Sequence, residues 1–359
     1  MDGLQCRECG KVFSLDKKIW RCVCGGLLDI KFTPHFPLNT IEKRKPTIWR
    51  YREALPVRDD SIISFGEGCT PMIKETIGGV SLWLKEDQLF PTGSFKDRGA
   101  SVLISKLKEL GIQRVVEDSS GNAGAAIAAY CAKAEIKCDI FVPKEVSSAK
   151  MHQTESYGAE LHRVPGDREE AAKAALSAAE ETYYASHSRN PFFFHGTKTF
   201  AFEVSEQLGW KAPDTVVLPV GNGTVLLGAY IGFNELLNAG VTERVPRIIA
   251  VQSENCSPLY RAFKDVPAVK KKETIAEGIA IAHPIRGKQI LSAVRKTGGD
   301  FIAVSDSEIK DSLSEMWKKG HFIEPTAAAT IAGLKKYLKK SSDELVVSVL
   351  TGHGLKMGG

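Results

Sequence analysis

The sequence predicts an α/β protein with a small cysteine-bearing module at its N-terminus, and three observations predict it. From about residue 111 onward, short Val- and Ile-rich runs alternate with polar, glycine-containing loops and amphipathic stretches. Most of those runs are continuously apolar, the pattern of parallel strands covered by helices on both faces. Cys6, Cys9, Cys22 and Cys24 crowd into the opening segment, and the remaining 335 residues hold only Cys69, Cys131, Cys138 and Cys256. At 359 residues the chain is long enough for two domains and a large core.

The opening segment reads Cys6-x-x-Cys9-Gly10, then Cys22-x-Cys24-Gly25-Gly26. Two cysteine pairs, each followed by glycine, suit two turns that donate four thiolates to a tetrahedral zinc ion, a zinc-ribbon-like arrangement. The second pair is one residue tighter than a regular ribbon knuckle, so reduced thiols without metal stand as the alternative. No secretory signal precedes them, which argues against disulfides and for a cytoplasmic protein. Residues 31–60, with Pro34, Pro37, Pro46 and Pro56, read as a linker crossing the surface.

Val80-Ser81-Leu82-Trp83-Leu84 alternates like a strand and runs toward a Pro91-Thr92-Gly93 turn. A helix is expected over 97–110, with Val102, Leu103, Leu107 and Leu110 on one face. Lys96 stands in its first turn, where the macrodipole favours the neutral amine that a Schiff-base lysine needs. For a lysine taken alone, a solvated helix start is the plainer reading. Further strands are expected at 114–116, 137–142, 160–164, 215–220, 247–251 and 345–350. Helices are expected at 125–134, 148–157, 168–182, 225–237, 307–319 and 326–339.

In such sheets ligands gather at the carboxyl ends of the strands. Ser119-Ser120-Gly121-Asn122-Ala123 offers hydroxyls, an amide and backbone N–H groups at a helix start, suited to a carboxylate. Gly221-Asn222-Gly223-Thr224 offers an open backbone at another helix start, suited to a phosphate. The next glycine is Gly228, so this is not the dinucleotide fingerprint. Thr351, at the end of the last strand, suits a ring nitrogen. No apolar run reaches the length of a membrane span. The net charge of +5 is spread thinly, and Lys270-Lys271-Lys272 lacks interleaved aromatics, so neither membrane nor nucleic acid is expected as a partner.

A lysine, a phosphate cradle, a carboxylate cradle and a neutral ring partner are what pyridoxal 5'-phosphate (PLP) requires. Ser94-Phe95-Lys96-Asp97-Arg98, the Ser-Ser-Gly-Asn-Ala loop, Val220-Gly221-Asn222-Gly223-Thr224 and Leu350-Thr351-Gly352-His353-Gly354 together resemble the threonine synthases, of the tryptophan-synthase-β-like (fold type II) PLP enzymes. The resemblance runs from about residue 66 to the end, and the cysteine module resembles one carried by some threonine synthases. It implies two three-layer α/β/α domains: a zinc-ribbon-like module at 1–31, a large PLP-binding domain at 32–95 and 190–359, and a small domain at 96–189. It implies that Lys96 bears the cofactor and shuttles protons, that Gly221, Asn222, Gly223 and Thr224 hold its phosphate, and that Asn122 bonds its ring hydroxyl. Ser119, Ser120, Gly121, Asn122 and Ala123 would take the substrate carboxylate, Thr351 would face the ring nitrogen, and Phe95 would pack beside the ring.

The implied reaction converts O-phospho-L-homoserine and water to L-threonine and phosphate, in a homodimer. Two positions depart from the family pattern: Ala123 stands where a threonine is expected, and Phe193 where an arginine would grip the leaving phosphate. Ser188, His195, Lys198 and Lys150 are candidate substitutes. The departures leave open a related enzyme acting on another amino acid, a serine/threonine dehydratase or a β-replacement enzyme. A protein of another class, binding cofactor without turnover while its cysteine module contacts a partner, is the remaining alternative, and the intact Lys96 argues against it.

Overall fold

The computed structural model describes residues 2–146, 148–338 and 344–357, apart from the side chains of 148–150. In chain order its strands are β1 (Gly3–Cys6), β2 (Val12–Phe13), β3 (Leu28–Lys31), β4 (Met72–Ile77), β5 (Val80–Lys85), β6 (Arg114–Glu117), β7 (Lys137–Pro143), β8 (Glu160–Val164), β9 (Tyr183–Tyr184), β10 (Thr215–Pro219), β11 (Arg247–Ser253), β12 (Asp300–Val304) and β13 (Val346–Val349). Its helices are α1 (Leu38–Ile41), α2 (Lys96–Glu109), α3 (Asn122–Ala134), α4 (Ser148–Ser156), α5 (Arg168–Ala178), α6 (Pro191–Thr197), α7 (Thr199–Gln207), α8 (Thr224–Asn238), α9 (Pro258–Lys264), α10 (Gly287–Lys296), α11 (Asp306–Lys318) and α12 (Pro325–Leu338). Among the described residues no helix is long and apolar enough to cross a membrane.

The chain divides into two compact units, one built from the segment up to Gly68 with Lys96–Thr197, the other from Cys69–Phe95 with Lys198–Met357. The first unit holds a parallel sheet of order β8-β7-β6-β9 and a separate antiparallel ribbon of order β2-β1-β3. One apolar core serves both: Leu4, Cys6, Trp20, Cys22 and Leu28 of the ribbon pack in the same cluster as Leu103 and Leu107 of α2 and Val115 of β6. Trp20 meets Tyr184 edge to face at 5.2 Å. The ribbon is thus tied into this unit by buried surface rather than hung from it.

Two expectations about boundaries differ from what is observed. Residues 31–60 were expected as a surface linker, yet Ile41, Ile48, Tyr51 and Ala54 are fully buried. Ile48, Trp49 and Leu55 pack with Val102 of α2, and the Trp49 indole N–H donates to Ser101 Oγ at 3.0 Å. Those contacts place the segment 32–68 with the Lys96 unit, not with the larger domain. Residues 190–197 go with it too, because α6 lies so close to α2 that a Cβ on Gly99 would overlap the Phe193 ring.

The second unit is a six-stranded sheet of order β12-β11-β10-β13-β5-β4. All its pairings are parallel except β4 with β5. The last strand, β13, slots between β10 and β5, so the chain leaves this sheet after β5 and returns to fill its middle. Every residue of β10 and β13 is buried, as the uninterrupted apolar runs require of strands covered on both faces. β4, at the edge, alternates and is half exposed.

Candidate active site

In the first unit, Lys96 is the opening residue of α2 and is half-buried, followed by the fully buried Asp97 and Arg98. Ser119-Ser120-Gly121 follows β6 and leads into α3, whose N-cap is Gly121, with no side chain to cap the helix. The positive end of this 13-residue helix therefore faces the loop. The loop is held back against its own helix: Gly121 N–H donates to Ser119 Oγ at 3.3 Å, and a Cβ on Gly124 would overlap the Ser119 carbonyl. β9 pairs with β6, and the Ala185 N–H donates to the Val116 carbonyl at 2.9 Å, so Ser186, His187 and Ser188 leave the sheet beside this loop. Ser188 Oγ lies 3.2 Å from Ser186 Oγ.

Sequence reasoning missed three groups here. Glu117, the last residue of β6, is fully buried, and its Oε1 lies 2.6 Å from Nδ1 of the buried His187. Asp118 completes a set whose oxygen and nitrogen atoms all lie within 4.8 Å of one another. Burial pushes the Glu117 carboxyl well up, reinforced by the charge of Asp118. Burial likewise pulls the His187 imidazole down to about 3, with Lys96 adding to the effect. The signal available in the sequence was Glu117-Asp118 closing an apolar strand immediately before Ser119.

Among the described residues, none of the proposed substitutes for an arginine in this unit makes a cationic fork from α6. Phe193 is fully buried against Gly99, and Ala123 is buried at the start of α3. His195 is buried in α6, and Lys150 has its side chain outside the described residues.

In the second unit, Gly223 has φ 76° and caps α8 with no side-chain hydrogen bond, so the positive end of that 15-residue helix opens on a bare glycine turn. A Cβ at Gly223 would overlap Ile290, and one at Gly221 would stand 2.9 Å from Ile281 Cγ1 and 3.0 Å from the Gly278 carbonyl. Only glycine fits this turn. Nearby loops crowd together: Gly278 N–H donates to Thr326 Oγ1 at 3.1 Å, and Gly352 has no room for a side chain beside Glu324. Thr351 is buried, and neither its Oγ1 nor the Oγ of Ser94 has a hydrogen-bond partner. Phe95, also buried, donates its N–H to the Thr351 carbonyl at 3.0 Å. His353 caps the final turn by accepting from Leu355 N–H at 3.1 Å. Lys198, fully buried, lies 2.8 Å from the partly exposed Glu235 carboxylate, so it is spoken for structurally.

The ribbon brings its four cysteines to one point. Sγ of Cys6 lies 3.5 Å from that of Cys24, and Sγ of Cys9 lies 3.6 Å from those of Cys22 and Cys24. A tetrahedron with Zn–S bonds of about 2.3 Å has edges of about 3.8 Å, so the spacing fits a zinc ion. Gly10 and Gly25, at φ 72° and 83°, make the backbone turns, and the short second pair is accommodated. The Cys9 amide draws the Cys6 thiol down to about 6. At Cys24 the Gly26 amide acts the same way, but the sulfurs of Cys22, Cys6 and Cys9 outweigh it and push that thiol up to about 12. Ionising all four sulfurs this close together would take a cation among them.

An uncapped glycine turn for a phosphate and a buried, unanswered hydroxyl for a ring atom fit PLP. Residues 63–352 match the family of pyridoxal-phosphate dependent enzymes. The chain is 38% identical to the threonine synthase of Methanocaldococcus jannaschii, covering 98% of this chain and 92% of that protein. It is 37% identical to the threonine synthase of Methanosarcina acetivorans, covering 99% and 92% respectively. The chain belongs to the pyridoxal-phosphate dependent enzymes, in their threonine synthase branch. It is a PLP-dependent lyase. Maize serine racemase shares the fold, with a TM-score of 0.70 over 88% of this chain and 95% of that one, at 22% identity. The PLP fold thus extends over both units, and the threonine synthase relatives span the ribbon as well.

Proposed function

We propose that this PLP enzyme converts O-phospho-L-homoserine and water to L-threonine and inorganic phosphate, by γ-elimination followed by addition of water at the β carbon. The observation that carries the reading is 37–38% identity over nearly the whole chain, ribbon included, to the threonine synthases of Methanosarcina acetivorans and Methanocaldococcus jannaschii. Bound PLP supplies the electron sink for carbanionic charge at the substrate.

The chain's own residues divide the remaining work. Lys96, at the head of α2, carries the cofactor and moves protons at its Nζ. The amides of Gly221, Asn222, Gly223 and Thr224 hold the phosphate at the positive end of α8. Thr351 gives the ring nitrogen a neutral hydroxyl, Asn122 takes the ring hydroxyl, and Phe95 packs beside the ring. Ser119, Ser120, Gly121 and Ala123, with the positive end of α3, take the substrate carboxylate, and Ser188 lies on the loop beside them. Cys6, Cys9, Cys22 and Cys24 hold a structural zinc. The protein works in the cytoplasm as a homodimer, without nucleic-acid or membrane partners.

One observation favours a second reading. Phe193 is locked in the interface of α2 and α6 and Ala123 is buried, so the expected arginine–phosphate fork is replaced by carbon. An unphosphorylated amino acid, handled by a dehydratase or a β-replacement enzyme, would not need that fork. Phosphate release from O-phosphohomoserine is measured beside 2-oxo acid formation from serine and threonine. Stoichiometric phosphate and threonine support the synthase; keto acid without phosphate rejects it.

A further inference from the structure

The Glu117–His187 contact has a geometry that restricts where its protons can be. β6 and β9 run parallel, with Val115 opposite Tyr183 and Val116 opposite Tyr184, so the residues leaving their carboxyl ends lie side by side. Glu117 has no exposed surface and His187 is 4% exposed, and their side chains meet at 2.6 Å, with the backbone N–H groups of His187 and Asp118 partly offsetting the burial of the carboxyl. The second carboxylate oxygen, Glu117 Oε2, is buried with no partner, and so is Asp118 Oδ1. An ionised carboxylate at full burial requires donors at both oxygens, because an unpaired buried charge costs far more than an unpaired neutral dipole. A carboxylic acid that donates through one oxygen leaves only a carbonyl unanswered.

We propose that Glu117 is a carboxylic acid that donates its proton to Nδ1 of His187, so that one shared proton keeps the pair neutral and fixes the imidazole in the tautomer with its N–H on Nε2.

The surroundings agree with that assignment. Four other elements bring charged or titratable groups to the pair: Lys96 from α2, Arg168 from α5, Asp118 beyond β6 and Tyr184 from β9. Lys96 and Arg168 oppose a positive imidazolium, and Asp118 favours it but is outweighed by burial. Tyr184 hydrogen-bonds Asp118, and the charge of Arg189 acts on Tyr184 in turn. The carboxyl pushed up and the imidazole pulled down by burial both favour the proton on the carboxyl side.

Two consequences follow from the ring's own geometry. Its two nitrogens point in widely different directions, so a proton on Nε2 faces away from Glu117 and makes His187 a neutral hydrogen-bond donor beside Ser188. With its only lone pair engaged by Glu117, the imidazole cannot serve as a base. Glu117 is then a positioning residue: it acts by dictating which nitrogen of His187 carries hydrogen.

The test uses the full chain loaded with PLP and labelled with 15N and 13C histidine, the His187 resonances being assigned with His187→Gln. The expected spectrum is a neutral Nε2–H imidazole that does not titrate between about pH 5 and 8, whereas an unperturbed histidine has a midpoint near 6.5. In Glu117→Gln the amide N–H₂ replaces the acid as donor, so the tautomer is kept. In Glu117→Leu it is lost, and His187 shifts to the Nδ1–H form or begins to titrate. Should the leucine variant fail to fold, isotope-edited infrared spectra of wild type and Glu117→Gln decide. A protonated carboxylic acid band at neutral pH must be present in the first and absent from the second. A wild-type His187 that titrates with a midpoint near 6 to 7, an Nδ1–H tautomer, or no acid band overturns the proposal. So does a His187 resonance broadened by stoichiometric Mn²⁺, which would put a cation among Glu117, Asp118 and His187 in place of the proton. None of these readouts depends on the substrate, so the assignment can fail while the synthase reading stands, and the reverse.

Discussion

The unit that carries the glycine turn sets each of its two fully buried lysines against a carboxylate, whereas the unit that carries Lys96 leaves oxygens of two neighbouring carboxyl groups, Glu117 and Asp118, unanswered. In the former, Lys85 lies 2.8 Å from Glu203 with both side chains fully buried, and Lys198 lies 2.8 Å from Glu235. Lys85 also donates to Gln207 Oε1 at 2.9 Å, completing its shell. In the latter, Glu117, Asp118 and His187 share too few donors for their oxygens. One unit presents backbone amides and unanswered hydroxyls, a setting for a cofactor anion and a neutral ring atom. The other sets a buried carboxyl–imidazole pair, with its proton held in place, in the unit that carries the lysine.

The contrast can be broken at its extremes. Lys96→Ala should lower kcat by about 10⁴-fold or more and abolish the visible absorption band formed on adding PLP, with little change in thermal unfolding. A surviving band would move the cofactor to another amine. Glu203→Ala strands the buried Lys85 ammonium and should cost about 3–5 kcal/mol in urea unfolding, with much of it recovered in the double variant Lys85→Met/Glu203→Met. If the single change is harmless, the pair is not what fixes that unit.

Smaller effects sharpen the contrast. Gly223→Ala, which meets Ile290 and requires a positive φ, should destabilise by about 1–3 kcal/mol and remove most of the rise in melting temperature that PLP gives the wild type. Cys22→Ser should take the zinc content to zero by elemental analysis and lower the melting temperature, because Cys22 is both a cluster sulfur and a core residue. The mildest change concerns Glu75 on β4. The Lys319 ammonium, the Thr76 amide and His321 hold its carboxyl down to about 2, from an ordinary value of 4.5. A depressed carboxylate stabilises above its unfolded value and loses that contribution as pH falls from 4.5 toward 2. Glu75→Gln should therefore flatten the acid limb of the stability profile by about 1 kcal/mol.

The alternation of apolar runs and helices was legible because strands buried on both faces cannot hide their composition. The three loops at strand ends were legible for the same reason: each follows a run that fixes where the strand stops. Residues 48–55 were not, because their prolines and charges signal irregular backbone while saying nothing of where Ile48 and Trp49 are buried. The helix expected over 168–182 ends at Ala178 because Tyr183 and Tyr184 are taken by the edge of β6, a pairing invisible to helix propensity. β4 was missed because an antiparallel edge strand with one wet face shows only weak apolar content. At the site, the residue types that bind dipoles could be read from loops, but the Glu117–His187 contact joins residues 70 positions apart and needed the sheet order.

Gly99 and Phe193 interlock like a pin and its socket, with Gly196 pressed on the Arg98 backbone one turn later. A guanidinium introduced at 193 would enter a slot shaped for a flat hydrocarbon and would lie in a dry helix seam. Enlarging position 99 first would expel the ring already seated there. No single exchange along the present chain therefore opens a cationic grip at this spot, and any descendant that acquires one must alter both helices together or find its anion handle elsewhere.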